Sequence, residues 1–256
     1  MRSAQLPTIS PVITVMTRAI LRAARGLVRD FGELEHIKVS QKGPHDFVST
    51  ADLNAEQALV EELQQAHPTY GFLTEERGEL PGEDPSMRWI IDPLDGTHNY
   101  LHGFPYWAIS VALERKGQII AGAVYDPLRN ELFCAEQGRG AYLNNQRLRL
   151  RERPYLAEAL VAFSRMPFTR LSWLSEHTMG IRKPGAVALN LAYLAAGRFD
   201  ACLSGPQHLW DIAAGKLLVQ EAGGLMTDAM GQQDCESSLI AANLTLQEQL
   251  REANLF

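Results

Sequence analysis

The stretch Trp89 to Tyr100, WIIDPLDGTHNY, constrains this chain more than any other. Trp89, Ile90 and Ile91 form an apolar run suited to a buried strand, and Pro93, which has no N–H for a ladder, predicts that the strand ends at Asp92. Asp92 and Asp95 therefore stand where a buried strand gives way to a glycine-containing turn. An exposed acidic loop does not normally follow directly on Trp-Ile-Ile. After the two acids, Gly96 and Thr97 can begin a helix whose free N–H groups and dipole favour an anion. A turn with a single N-capping aspartate accounts for one of these acids but not for both.

Three further segments bring acids to strand ends and helix starts. HLWDIAAGKLLVQEAGG places Asp211 in the first turn of an apolar helix, FLTEE puts Glu75 and Glu76 directly after an apolar run, and KGPHDFVSTADLNAE offers Lys42, Asp46, Ser49 and Asp52 just before a helix. Each alone reads as an ordinary cap or strand end; only the combination points to a site. The formal net charge of -6, from 24 Lys+Arg against 30 Asp+Glu, lacks the basic excess of a nucleic-acid or anionic-membrane surface, so neither partner is expected. An acidic protein that handles a phosphate ester needs bound cations to invert the local sign.

With 256 residues, 46% of them hydrophobic, the chain can fill one large domain, 1-256, or two intimately packed lobes of approximately 1-145 and 146-256. Cys134, Cys202 and Cys235 form no CxxC pair and are odd in number, which reads as reduced thiols and a cytoplasmic location. The apolar stretch after Pro11 is too short and too charged to span a bilayer; Val12, Met16, Ile20, Ala24 and Leu27 recur at helical spacing and predict an amphipathic helix. A second helix is predicted from Asp52 to about Ala66, stopped by Pro68. Trp107 to Ala135 alternates as an antiparallel meander. Beyond it come a helix over Ala186 to Ala196, a strand over Phe199 to Leu203, a helix over Leu209 to Ala222, a strand near Ser238 to Ala241 and a last helix. Mixed order of this kind predicts stacked layers in one α+β body.

The segments DFVSTAD, FLTEE, WIIDPLDGT and WDIAAG, in this order between Lys42 and Gly224, resemble the motifs of inositol monophosphatases. The resemblance implies a layered αβαβα sandwich of the sugar-phosphatase type and two or three Mg2+ ions, commonly displaced by lithium. Carried over by position, it implies that Glu75, Asp92 and the carbonyl of Leu94 hold a first ion, that Asp92, Asp95 and Asp211 hold a second, and that a third sits near Glu75. Asp52 and Thr97 match the pair that orients the attacking water, Lys42 the basic residue near the metals, and the amides of Gly96 and Thr97 the phosphate cradle. Gly185, Ala186 and Val187 match the loop that meets the substrate hydroxyls, with Asp95, Ser204 and Asp211 on the same side. A homodimer is also implied.

The chemistry supports this independently. Hydrolysis of a phosphate monoester needs acceleration of up to about 10^21, whereas one general base supplies roughly 10^2 to 10^4. Paired divalent ions close that gap, and a hard ion such as Mg2+ selects oxygen ligands. Departures from the family pattern touch specificity: Ser204 stands where inositol-type members place a glutamate, Val187 is bulkier than the usual alanine, and Ser164 to Ile181 is short, predicting an open pocket wall. The expected activity is hydrolysis of inositol 1-phosphate or a related polyol or sugar phosphate. Two alternatives stay open: a phosphatase for phosphoadenosine phosphate, fructose bisphosphate or histidinol phosphate, and a non-catalytic regulatory binding protein that retains the fold.

Overall fold

The computed structural model describes residues 10–34, 39–43, 46–233 and 235–256, with the side chains of 39–43 and 46–48 outside that description. The first half of the chain contains α1 (Pro11–Phe31), β1 (Val39–Gly43), β2 (Asp46–Ser49), α2 (Thr50–Ala66), β3 (Tyr70–Thr74), β4 (Gly78–Leu80), β5 (Asp84–Asp95), α3 (Thr97–Leu101), β6 (Ala108–Arg115), β7 (Gln118–Asp126), β8 (Glu131–Glu136), β9 (Gly140–Leu143) and β10 (Gln146–Arg147). The second half contains β11 (Leu160–Ser164), α4 (Phe168–His177), β12 (Gly180–Arg182), α5 (Val187–Ala195), β13 (Ala201–Ser204), α6 (Leu209–Glu221), β14 (Leu225–Thr227), β15 (Leu239–Ala242) and α7 (Leu244–Glu252).

These elements stack in five layers. α1 and α2 cover the outer face of an eight-stranded sheet of order β10-β9-β8-β7-β6-β5-β3-β4. α5 and α6 lie between that sheet and a five-stranded one of order β12-β11-β13-β15-β14, and α4 and α7 contact the second sheet at β12 and β15. The expected αβαβα sandwich is the observed architecture. The helical stripe predicted for α1 is borne out at Met16, Ile20, Ala24 and Leu27, which are buried, while Val12 is only partly covered; Ser10 caps the helix by accepting from the Ile13 N–H. β6, β7 and β8 form the predicted meander.

One expectation needs correcting: the strand does not stop at Asp92. β5 continues through Pro93 to Asp95, because a bulge absorbs the proline. Asp92 faces Ser110 and Asp95 faces Ala108, so three steps on β5 oppose two on β6. The missing N–H therefore falls where the ladder is already interrupted. Ser164 to Ile181, predicted to leave a wall open, forms α4 and the edge strand β12.

The middle layer fixes the site. α6 is buried on every side, through Ile212, Ala213, Ala214, Leu217, Leu218 and Val219, as a helix wedged between two sheets must be. It approaches β7 so closely that a Cβ on Gly122 would stand 2.9 Å from the Ala214 Cα, and a Cβ on Gly215 would stand 2.6 Å from the Leu191 Cβ of α5. Two glycines thus set how deep the first turn of α6, with Asp211, is held.

Candidate active site

β5 lies between β3 and β6 in the large sheet, so its acidic end emerges beside the end of β3, where Glu75 follows Thr74. The Glu75 N–H donates to the Ile91 carbonyl at 3.2 Å, which ties the two strand ends together. Asp92 and Asp95 are 1% and 7% exposed, whereas Glu75 and Asp211 keep partial access to solvent. Asp92 Oδ1 accepts the Leu94 N–H at 2.9 Å. Asp211 comes from the other side as the third residue of α6, its Oδ2 taking the His208 N–H at 3.0 Å.

The acids feel one another. Burial is the largest cause pushing Asp92 well above the usual carboxylate range, followed by the charges of Glu75, Asp95 and Asp211. Burial likewise lifts Glu75 to about 8, with Asp211, Glu76 and Asp52 adding repulsion, while a hydrogen bond shared with Asp92 opposes the rise. Asp95 rises to about 7, through burial and then the charge of Asp211, against backbone N–H groups that pull it down. Asp211 is raised by burial, with the His208 amide and the charges of Arg165 and His208 opposing. Among the described residues no three carboxylates, thiols or imidazoles already close around one point as a ligand shell. The acids are gathered: Glu75 shares a hydrogen bond with Asp92, and Asp92, Asp95 and Asp211 each accept backbone N–H groups. Their all-oxygen donor set fits a hard divalent ion.

Beside them, Asp52 is fully buried in the first turn of α2, where Ser49 and Asp52 form a reciprocal capping box. Asp52 Oδ2 receives the Ser49 N–H at 2.8 Å and the Ser49 hydroxyl at 2.5 Å. Burial raises Asp52; hydrogen bonds from Ser49 and Thr97 work against it. The Thr97 hydroxyl has one proton and two acceptors in reach, Asp52 Oδ1 at 3.2 Å and the Leu94 carbonyl at 3.1 Å. Lys42 belongs to β1, and its side chain lies outside the described residues.

Gly96 precedes α3 with φ 96°, and a Cβ there would meet the Tyr106 carbonyl at 3.1 Å and the Ala186 Cβ at 3.2 Å. α3 has only five residues, so its dipole is slight and the amides of Gly96 and Thr97 are what it offers an anion. The Gly185 to Val187 loop is placed against this turn: Asn99 Nδ2 donates to the Tyr106 and Pro184 carbonyls at 2.7 and 2.8 Å. The Val187 and Leu189 amides donate to the two Asp95 oxygens at 2.9 and 3.2 Å. Asp95 therefore caps α5, whose own N-cap residue, Ala186, provides no side-chain bond. Ser204 is buried; its hydroxyl donates to the Ser164 carbonyl at 3.1 Å and accepts Gln207 Nε2 at 2.6 Å.

Sequence reading did not find Gln207, Arg165 or the Leu189 amide. Their roles depend on tertiary register and carry no local pattern. Two other clefts, of about 670 and 850 Å3, lie between α1 and β8/β9 and beside Arg147 to Pro154; neither includes a site carboxylate.

A family model described as the inositol monophosphatase family matches residues 8–254, nearly the whole chain. The chain belongs to this family. An inositol-1-monophosphatase of Mesorhizobium japonicum is 45% identical over 256 residues, covering 95% of this chain and 96% of that protein. A Nus factor SuhB of Pseudomonas aeruginosa is 41% identical over 238 residues, covering 88% of each. The crystal structure of the extragenic suppressor protein suhB from Bartonella henselae superposes with a TM-score of 0.92 at 44% identity, covering 95% of this chain and 98% of that one. The layered frame is thus shared with that structure.

Proposed function

We propose that this inositol monophosphatase family member hydrolyses a small phosphate monoester, inositol 1-phosphate or a related polyol or sugar phosphate, with Mg2+ at the acidic cluster. The observation that carries the reading is the meeting of Glu75, Asp92, Asp95 and Asp211 within one another's field, next to the hydrogen-bonded pair of buried Asp52 and half-buried Thr97. Glu75, Asp92, Asp95, Asp211 and the Leu94 carbonyl are the groups that hold two or three ions. Ions bound there supply an activated water, screen the phosphate and offset charge on the leaving oxygen.

The chain's own groups do the rest. Asp52 draws the Thr97 proton, which leaves a Thr97 lone pair to accept a hydrogen bond from the attacking water and orient it. The Gly96 and Thr97 amides face the phosphate oxygens. Gly185, Ala186, Val187, Asp95, Asp211 and Ser204 make the substrate side, with Ser204 acting through Gln207. Lithium inhibition, a homodimer and a cytoplasmic location belong to the same reading; sedimentation and lithium titration check the first two. The relatives named Nus factor support a second reading, a regulatory role compatible with catalysis.

Phosphate release from inositol 1-phosphate, with and without Mg2+, tests the proposal. Wild type should turn over only with the ion, and D95N should be slower by about 10^2-fold or more. An equal rate for D95N would remove Asp95 from its role.

A further inference from the structure

β12 ends at Arg182 and α5 begins at Val187, so segment 183–186, Lys-Pro-Gly-Ala, is a short link between them. Its far end is held at α5, where the Val187 N–H donates to Asp95 Oδ1 at 2.9 Å. Pro184 has no N–H to anchor the near end, and the loop is gripped there by its carbonyl, which accepts from Asn99 Nδ2 at 2.8 Å. The same amide donates to the Tyr106 carbonyl at 2.7 Å. An asparagine side chain carries two N–H donors, so both are spent, on segments 7 and 85 residues away. The two carbonyl acceptors also settle which way the amide faces, because a reversed amide would set its oxygen against two others.

The clamp lies against the part of the loop that a ligand can reach. Gly185 holds φ 99°, in the left-handed region that favours glycine, and a Cβ there would stand 2.8 Å from Asn99 Nδ2. Gly185 is exposed, whereas Ala186 is fully buried. A Cβ on Gly96 would meet the Ala186 Cβ at 3.2 Å and the Tyr106 carbonyl at 3.1 Å, so loop and turn touch. A group docked on the Gly96 and Thr97 amides therefore has this loop beside it. Asn99 belongs to α3, directly after the turn, and so fixes the spacing between the two.

We propose that Asn99 is a positioning residue for substrate selection: it holds Pro184 and Gly185 at a set distance from the phosphate cradle, so that the loop meets the hydroxyl-bearing alcohol of a compact polyol phosphate. Asn99 acts through the loop and not on the reacting atoms. Without its two donors the Pro184 and Tyr106 carbonyls lose these bonds, and the near end of the loop is released from the turn. The proposal rests on the hydrolase reading above and deepens it by naming what keeps the substrate wall in register.

The test compares inositol 1-phosphate with 4-nitrophenyl phosphate, which shares the phosphate but has a flat alcohol without further hydroxyls, each with Mg2+. N99A removes both donors, and N99D keeps the shape while turning an oxygen toward the two carbonyls; Tm verifies that each folds. Both variants should raise KM for inositol 1-phosphate roughly 10- to 100-fold more than KM, or Ki as a competitor, for 4-nitrophenyl phosphate. Amide hydrogen exchange over residues 183–189 should quicken in N99A while that of α6 stays as in wild type. An equal rise on both compounds, no rise on inositol 1-phosphate, or unchanged exchange over 183–189 would each overturn the proposal and leave the hydrolase reading standing. If wild type releases phosphate from neither compound, the hydrolase reading falls and takes this proposal with it.

Discussion

Two demands meet at Asp95. Its oxygens cap α5 through the Val187 and Leu189 amides, and its charge is opposed by that of Asp211. Thr97 is simpler, since its hydroxyl serves Asp52 and Leu94 while the capping box of α2 depends on Ser49 and Asp52. T97A should therefore slow turnover by about 10^2- to 10^4-fold and leave Tm close to wild type; kinetics and a thermal melt on one preparation check both. The raised carboxylates also give the metal-free protein a signed pH dependence. Glu75 near 8 and Asp95 near 7 when folded hold protons that the unfolded chain has already released. The native state then binds more protons than the unfolded one, so stability is fullest below about pH 4 and falls as pH rises through about 7 to 8. Chemical denaturation in EDTA across that window should show the decline. Stability that rises with pH there would contradict it.

At the scale of elements, close approach decides where the acids go. A methyl group at Gly122 meets the backbone of α6, which can yield only by lifting the helix that bears Asp211. G122A should cost about 1 to 3 kcal/mol and lower activity beyond the loss of folded protein, read by combining denaturation with specific activity. Much of this level was legible in advance. The period of α1, the apolar α6 and the apolar, β-branched runs of β6 and β7 between turn signals are side-chain patterning, which local sequence carries directly. The passage of β5 through Pro93 was not, because it depends on the bulge against β6. Arg165 was not legible either: the left-handed backbone is usually announced by glycine, and here an arginine adopts it.

Across the whole molecule, acids from β3, β5 and α6 reach one place because α6 lies between two sheets, with its N-terminus at the end of β5. The motif order foretold that meeting, and the layers supply its cause. Burying like charges together opposes folding, and a ligand that binds only the folded state offsets this by mass action. Mg2+ should therefore raise Tm in wild type and much less in E75Q, a comparison open to calorimetry. The most direct measurement is the Mg2+ binding isotherm of wild type beside D92N, titrated by calorimetry after removal of metal. Saturable binding in wild type that is lost or weakened at least about tenfold in D92N is the predicted result. Indistinguishable isotherms, or no binding by wild type, would contradict the account.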